Sequence, residues 1–510
     1  SGRRELANKL KKRVVARSEP SSRLSMEDAR RKIREILKPY TEVSNFLFDS
    51  MKGEVVLYLK KSIDPAVYPN LSVKIVSETR WLPIFKRYFP PFPQTLNRIY
   101  SAYYTCEKER RRFILGLGDR IFRSPLNPSR DVRITVLGGA QEVGRSCFLF
   151  STSETSLLID FGLKPGVSSR VNAYPRIDAQ PFDIDELDAV IVTHAHLDHS
   201  GLVPFLFKHG YDGPVYMTEP TLPLVVLLQL DLIQVSEKNG VTPPYNASNV
   251  RDMIYHTVPL KYNQVTDISP DVKLTLYNAG HVLGSSIVHL HVTEGVHNTI
   301  FTGDFKYGPS LLLDPAYHNF ARAETVVMES TYGGDEDVAP SRDEAEALLQ
   351  KSINETLNRG GKVLMPVPAV GRAQEILVIL DRLINKGGIK EAPIFIEGMI
   401  DESTAIHVSY PEYLSSRLRK IIMGQGINPF ESERFITVDS SSMRDEAISD
   451  GPCIIVATSG MMEGGPVLEY FKHLAGDERN LILFTAYQVP GTCLLYTSDA
   501  ADEGLGVDLG

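Results

Sequence analysis

Six consecutive residues, His194-Ala195-His196-Leu197-Asp198-His199, constrain this chain more than any other stretch. They follow directly on the apolar run Ala189-Val190-Ile191-Val192-Thr193, which reads as a strand. In an extended segment side chains alternate between faces, so His194 and His196 point the same way. Asp198 and His199 follow as the chain turns into Ser200-Gly201-Leu202-Val203-Pro204. Imidazoles and a carboxylate packed this densely repel once protonated and have little packing value. A solvated strand end is therefore a poor account of them, and the cluster suits more than one cation.

At 510 residues the chain is too long for one compact core, and about three domains are expected. An apolar fraction of 43% with 23% charged residues is that of a soluble globular protein. There is no signal sequence at the start and no apolar stretch long enough to span a bilayer, so no membrane partner is expected. Leu222 to Val235 is short and carries Asp231, which predicts a buried helix. The four cysteines, Cys106, Cys147, Cys453 and Cys493, show no CxxC pairing. That argues against a cysteine zinc site, for a metal held by His and carboxylate, and for a reducing, cytoplasmic setting.

The net charge of -8 is unevenly placed. Residues 1–40 hold 13 Lys and Arg against 5 Asp and Glu, leaving about -16 on the remainder. Glu5 to Val15 reads as the end of a helix entering a strand. Ser25 caps a helix over Ala29 to Leu37, with Glu27 and Asp28 in its first turn. Gly53 to Leu59 alternates as a strand, and Leu71 to Thr79 is a helix. From Trp81 to Arg133, 11 cations and 4 acids interleave with aromatics such as Phe85, Tyr88, Phe89, Tyr100, Tyr103 and Tyr104. Aromatic faces for stacking and cations for phosphates suit single-stranded nucleic acid. An ordinary helix with a basic face and aromatics in its own core fits equally well, and both readings stand.

A new domain begins near Asp131. Val132 to Leu137 is a strand, and Gly138 to Ser146 a glycine-bearing loop better read as a hairpin turn than as a phosphate cradle. Asp160 ends the apolar strand Ser156 to Ile159. The same pattern recurs at Asp304 after Thr299-Ile300-Phe301 and, with Glu, at Glu329 after Val326-Val327-Met328. His281 lies between them in a glycine-flanked loop. Acids and histidines at successive strand ends can converge on one rim of a sheet.

The motifs HAHLDH, AGHVLGS, TGDF and LLIDFG resemble the ordered motifs of the metallo-beta-lactamase superfamily. ESTYG at Glu329 to Gly333 and the stretch Pro368 to Glu375 resemble its nucleic-acid-processing branch with the beta-CASP insert. Leu10 to Ser18 and residues 38–125 resemble the KH modules of archaeal homologues of the cleavage and polyadenylation specificity factor. The GXXG clamp of such modules is replaced here by Ser62 to Asn70. The resemblance implies an α/β fold: an αββα sandwich over residues 131–335, an inserted parallel-sheet beta-CASP cap over 336–492, and α+β KH-like modules in front. The first KH-like module would end within residues 1–37, and the second would cover 38–125.

It further implies two zinc ions, one on His194, His196, His281 and a bridging Asp304, the other on Asp198, His199 and Asp304. His-rich ligation itself favours zinc over magnesium. Asp198 would orient the attacking hydroxide, Asp160 would orient ligands, and Glu329 would be the acid of the beta-CASP signature. Arg372 and the loop at Ser459 and Gly460 would meet substrate. The activity implied is hydrolysis of single-stranded RNA, endonucleolytic with 5' to 3' trimming, in mRNA 3'-end processing or transcription termination. RNA polymerase or its machinery is the implied partner, and the intact protein a homodimer. A ribonuclease J-like enzyme and a non-catalytic RNA-binding scaffold are the alternatives, and the presence of His194, His196, Asp198, His199, His281 and Asp304 argues against the scaffold. After Thr492 the family's last two histidine motifs do not appear. Residues 493–510 read as a non-native tail, so the second metal site is expected to be incomplete and activity impaired.

Overall fold

The computed structural model describes residues 17–488 except 65, 127–130, 168, 179–181, 336 and 339, together with 5–7, 9 and 15. Most of the segment Leu10 to Ser18 and all of residues 493–510 lie outside the described residues.

Two sheets face one another at the centre of the chain. One runs in sequence order through β4 (Arg133–Gly138), β5 (Cys147–Ser151), β6 (Ser156–Ile159), β7 (Ala189–Ile191), β8 (Val215–Thr218) and β9 (Thr257–Leu260). It is antiparallel up to β6 and parallel from there. The other contains β10 (Thr266–Asp267), β11 (Val272–Asn278), β12 (Ser286–Val292), β13 (His297–Phe301) and β14 (Thr325–Val327), with only the last pair parallel. Alternation along the strands puts Phe150, Leu157, Ile159 and Ile191 of the first sheet against Leu274, Leu276, Val288 and Leu290 of the second. The opposite side chains of the first sheet, Leu158, Val190 and Met217, pack on helices Val203–Lys208, Thr221–Lys238 and Ala247–His256. The outer face of the second sheet, by contrast, is covered among the described residues by the irregular segment around Phe305, Ala316 and Phe320.

The predicted buried helix at 222–235 is present as Thr221–Lys238, and no helix among the described residues is long and apolar enough to cross a membrane. Cys106, Cys147 and Cys453 are free thiols.

A third sheet, in the order β17 (Phe435–Thr437), β16 (Ile394–Glu397), β18 (Ile454–Ala457), β15 (Val363–Pro366) and β19 (Leu481–Ile482), is parallel throughout. Strands buried on both faces need no alternation, which is why Val363-Leu364-Met365 and Ile454-Ile455-Val456 read as continuous apolar runs. Helices Arg342–Asn358 and Arg372–Asn385 cover one face, and Ser441–Ser449 and Val467–Leu474 the other.

The N-terminal unit is a three-stranded sheet of β1 (Val43–Asp49), β2 (Glu54–Leu59) and β3 (Leu82–Arg87), backed by helices Met26–Leu37 and Tyr68–Thr79. The Ser25 hydroxyl accepts from the Asp28 amide and caps the first helix, as the sequence predicts. The unit is joined to the cap. Lys86 Nζ donates to the Ser409 carbonyl at 2.7 Å, and the amide and hydroxyl of Thr95 both donate to Glu402 Oε1 at 2.7 Å.

Most of the aromatic and cationic stretch at 81–133 resolves in favour of structure. Trp81 and Tyr103 are core residues, and Trp81 Nε1 donates to the Leu24 carbonyl. Buried Arg110 binds the carbonyls of Ile254, Tyr255 and Thr257 at the end of helix Ala247–His256. Backbone carbonyls, not phosphates, take that charge.

His407 gives the fold a pH-dependent stability. It is 0% exposed in helix Ile400–Ser409; its Nδ1 donates to the Ser403 carbonyl at 2.7 Å while Nε2 has no partner. Burial pushes its pKa down to about 4 from the ordinary 6.5. Between those values the unfolded chain holds a proton that the folded chain refuses. Stability from this group is therefore complete above pH 6.5 and falls as the pH drops towards 4, by up to about 3 kcal/mol. Urea unfolding across this range is expected to show a flatter pH dependence in His407→Gln than in wild type; identical slopes would refute the assignment.

Candidate metal centre

The ligand-bearing residues lie just past the carboxyl ends of strands. Asp160 follows β6, the run 194–199 follows β7, His281 follows β11, Asp304 follows β13, and Glu329 follows β14. Strands β6 and β7 are parallel neighbours, as are β13 and β14, so their ends open on shared edges. The expected convergence of strand ends is met.

Donor atoms of His194, His196, His281 and Asp304 all lie within 4.8 Å of one another, and so do those of His194, Asp198 and His199. His196 Nδ1 is 3.2 Å from both His194 Nε2 and His281 Nε2. Tetrahedral zinc with bonds of about 2.0–2.1 Å holds its nitrogens roughly 3.3 Å apart, so these imidazoles already stand at ligand spacing. Asp304 faces both groups. Its Oδ2 is 3.7 Å from His281 Nε2 and 3.9 Å from His194 Nε2, and its Oδ1 is 3.2 Å from His199 Nε2. The donor set fits a pair of zinc-like cations. His194 falls in both clusters, a sharing that the sequence does not foretell.

Electrostatics prepares His194, His281 and Asp304 as donors. Burial, with the neighbouring imidazoles, lowers the pKa of His194 well below its ordinary value and that of His281 to about 3, leaving both neutral with lone pairs available. For His199 burial opposes the charge, but Asp304, Asp160 and Asp198 outweigh it and raise the pKa well above 6.5. Burial likewise disfavours ionised Asp304, yet His199, His194 and His281 hold its pKa well below the usual carboxylate range. Asp198 is raised by burial.

Asp160 holds His199 in place. Its Oδ2 lies 2.7 Å from His199 Nδ1, and its two oxygens also accept from the Thr193 amide at 2.8 Å and the Thr193 hydroxyl at 2.9 Å. With Nδ1 turned to Asp160, Nε2 is left facing Asp304. Thr193 has no place among the sequence-predicted residues; the only hint of it is its position directly before the first histidine.

Backbone bonds also tie the loop carrying Asp198 and His199 to its surroundings. Ser146 N donates to the Asp198 carbonyl, Phe161 N to the His199 carbonyl and Leu163 N to the Leu197 carbonyl. The approach is so close that a Cβ on Gly162 would lie 1.6 Å from the Asp198 carbonyl oxygen.

The cap closes over the centre. His196 Nε2 is 3.5 Å from the Val370 carbonyl oxygen, and a Cβ on Gly371 would lie 2.5 Å from Val282 Cγ1, beside His281. Arg372 opens helix Arg372–Asn385 there, near enough for its charge to act on His281. Ser459 and Gly460 lie on the loop after β18, and a Cβ on Gly460 would lie 2.5 Å from Pro368 Cδ. Glu329 sits behind Asp304: Oε1 accepts from the Phe305 amide at 3.0 Å and Oε2 from the Thr331 hydroxyl at 2.6 Å, while burial and Asp304 raise its pKa. Glu375, which the sequence does not single out, accepts from the amides of Leu311 and Leu312 at 2.9 and 2.7 Å and from Arg342 at 2.8 Å. It ties the cap helix to the segment after Asp304. A carboxylate next to the apolar run Ile376-Leu377-Val378-Ile379-Leu380 is the available signal.

The pattern of the metallo-beta-lactamase superfamily matches residues 140–351, and that of the Beta-Casp domain residues 373–493. The chain is 46% identical over 492 residues to the transcription termination factor FttA of Methanocaldococcus jannaschii, covering 96% of this chain and 77% of that one. It is 47% identical over 497 residues to the FttA of Pyrococcus abyssi, with 96% and 76% covered. With the FttA of Lokiarchaeum sp. it shares 44% over 491 residues, with 96% and 77% covered.

Proposed function

Because this chain belongs to the family of the archaeal transcription termination factor FttA, we propose that it is a zinc-dependent ribonuclease that cuts single-stranded RNA during transcription termination and 3'-end formation. The observation that carries this reading is the spacing of His194, His196, His281 and Asp304, which suits a metal and little else. When bound, two divalent ions supply positive charge to the scissile phosphate and lower the pKa of the attacking water.

The chain's own residues do the rest. His194, His196 and His281 would offer nitrogens to one ion, Asp304 faces both groups of donors, and Asp198 with His199 would supply donors to the second. Asp198 would orient the attacking water. Asp160 keeps the His199 ring turned correctly. Arg372, at the amino end of its helix, holds a phosphate of the RNA, and the backbone around Ser459 and Gly460 holds another. Glu329 fixes the turn after Asp304.

Residues 38–125 are read as a KH-like module without its GXXG clamp, delivering transcript to the cleft. The three-stranded sheet with helix Tyr68–Thr79 packed on one face supports that reading. RNA polymerase is the natural partner, and a homodimer the assembly.

A labelled single-stranded RNA tests the proposal. With zinc the chain is expected to release internal fragments, and with excess chelator none; restoring zinc should restore cleavage. Cleavage that survives the chelator would overturn the metal mechanism. RNA binding without cleavage at any metal load would favour the scaffold. A ladder growing only from the 5' end would favour the ribonuclease J-like enzyme.

A further inference from the structure

One open cavity stands apart from the metal centre. It lies at the seam between the N-terminal unit and the cap, about 630 Å³ in volume. Lys60 and Lys61 at the end of β2, Arg87, Tyr88 and Phe89 at the end of β3, and residues 426–428 and Glu431 of the cap line it. Three cations face one acid.

Lys60 is paired only with exposed Glu42, an ion pair that water and salt readily replace. Lys61 is exposed. Arg87 lies with Cζ 5.6 Å from the centre of the Phe89 ring, and its Nε and Nη1 are shielded from water with no hydrogen-bond partner. A half-buried guanidinium with two shielded nitrogens that lack an acceptor is a rare arrangement, and it marks a place where an anion is missing. The cap leaves room for one. Gly426 presents bare backbone, and a Cβ added there would be 3.7 Å from Arg87 Nε.

We propose that this groove docks the phosphate chain of single-stranded RNA at a distance from the metal centre. The proposal rests on the reading of the substrate as RNA. The aromatic faces are already engaged, Phe89 beneath Arg87 and Tyr88 stacked on Phe92 at 6.4 Å, so the groove grips phosphates and ignores base identity. Loss of the GXXG clamp in the same unit is thereby offset by side-chain cations on the adjacent strand ends.

The test is fluorescence anisotropy of the full chain with a labelled single-stranded RNA of about 24 nucleotides, longer than common single-module site sizes. Chelator is kept present so that binding is read without cleavage. Lys61→Gln with Arg87→Gln is expected to weaken binding about tenfold and to reduce the log–log salt slope by about 1.4, or roughly 0.7 for each phosphate released from a cation, equally for RNAs of different sequence. Glu431→Gln removes the one acid and is expected to tighten binding, a gain that a folding defect cannot imitate.

Unchanged affinity and slope in the double variant would overturn the proposal, as would sequence-dependent losses. So would displacement of the RNA by polyglutamate at equal charge, which would make the groove a receptor for acidic protein. A wild-type chain that cleaves nothing when loaded with zinc, yet loses RNA affinity through these substitutions, would sink the nuclease reading and keep the groove.

Discussion

Asp304→Ala is expected to reduce RNA cleavage on the order of a thousandfold or more, the scale of removing a charge-stabilising group from a closed site. The same change should leave the protein with at most one tightly held zinc. No other described carboxylate stands 3.2 Å from His199 on one side and within 3.9 Å of His281 and His194 on the other. Without it the two donor sets have no common carboxylate, and the second keeps only Asp198, whose burial favours the neutral acid. Single-turnover cleavage and metal content of the purified variant, measured together, check this. Cleavage within tenfold of wild type with two zinc ions retained would refute it. Asp304→Asn should fall between the two, because it keeps one oxygen donor and the shape of the side chain.

Asp160→Asn isolates the contribution of an orienting charge. Asp160 is 1% exposed with φ at +60°, a left-handed conformation that Asn accepts as readily as Asp, so the backbone turn after β6 should survive the change. What is lost is one carboxylate oxygen accepting from His199 and Thr193. Zinc affinity or cleavage is expected to fall about 10- to 100-fold, as for other residues that aim a metal-binding imidazole. Chelator competition gives the affinity, and cleavage at rising zinc gives the rate. Rescue by excess zinc would show that Asp160 acts through His199. An unchanged affinity and rate would remove it from the mechanism.

The metal centre was largely legible in the sequence because its residues sit just past the ends of apolar strands, where a local pattern fixes where a side chain goes. Asp160, Asp304 and Glu329 share that signature, and the hexapeptide carries its own. The aromatic stretch at 81–133 was ambiguous for the opposite reason. Whether Arg110 meets phosphate or protein depends on the carbonyls of residues 254–257, more than 140 positions away, and no local spacing records that meeting. Glu375, Glu402 and Lys86 were missed alike, since each joins units distant in sequence. The apolar runs Val363-Leu364-Met365 and Ile454-Ile455-Val456 are legible as strands, but the edge strand β17 and the order of the sheet, with β18 between β16 and β15, are not. Burial on both faces erases the alternation that would distinguish an edge strand from a central one.

The amide-to-carbonyl bonds that hold residues 197–199 against residues 146 and 161–163 are made by the backbone and not by the ligand side chains. The path of the loop and the identity of the donors it carries are thus set by different atoms. Substitutions at Asp198 or His199 therefore change what the loop can grip while sparing the bonds that shape it.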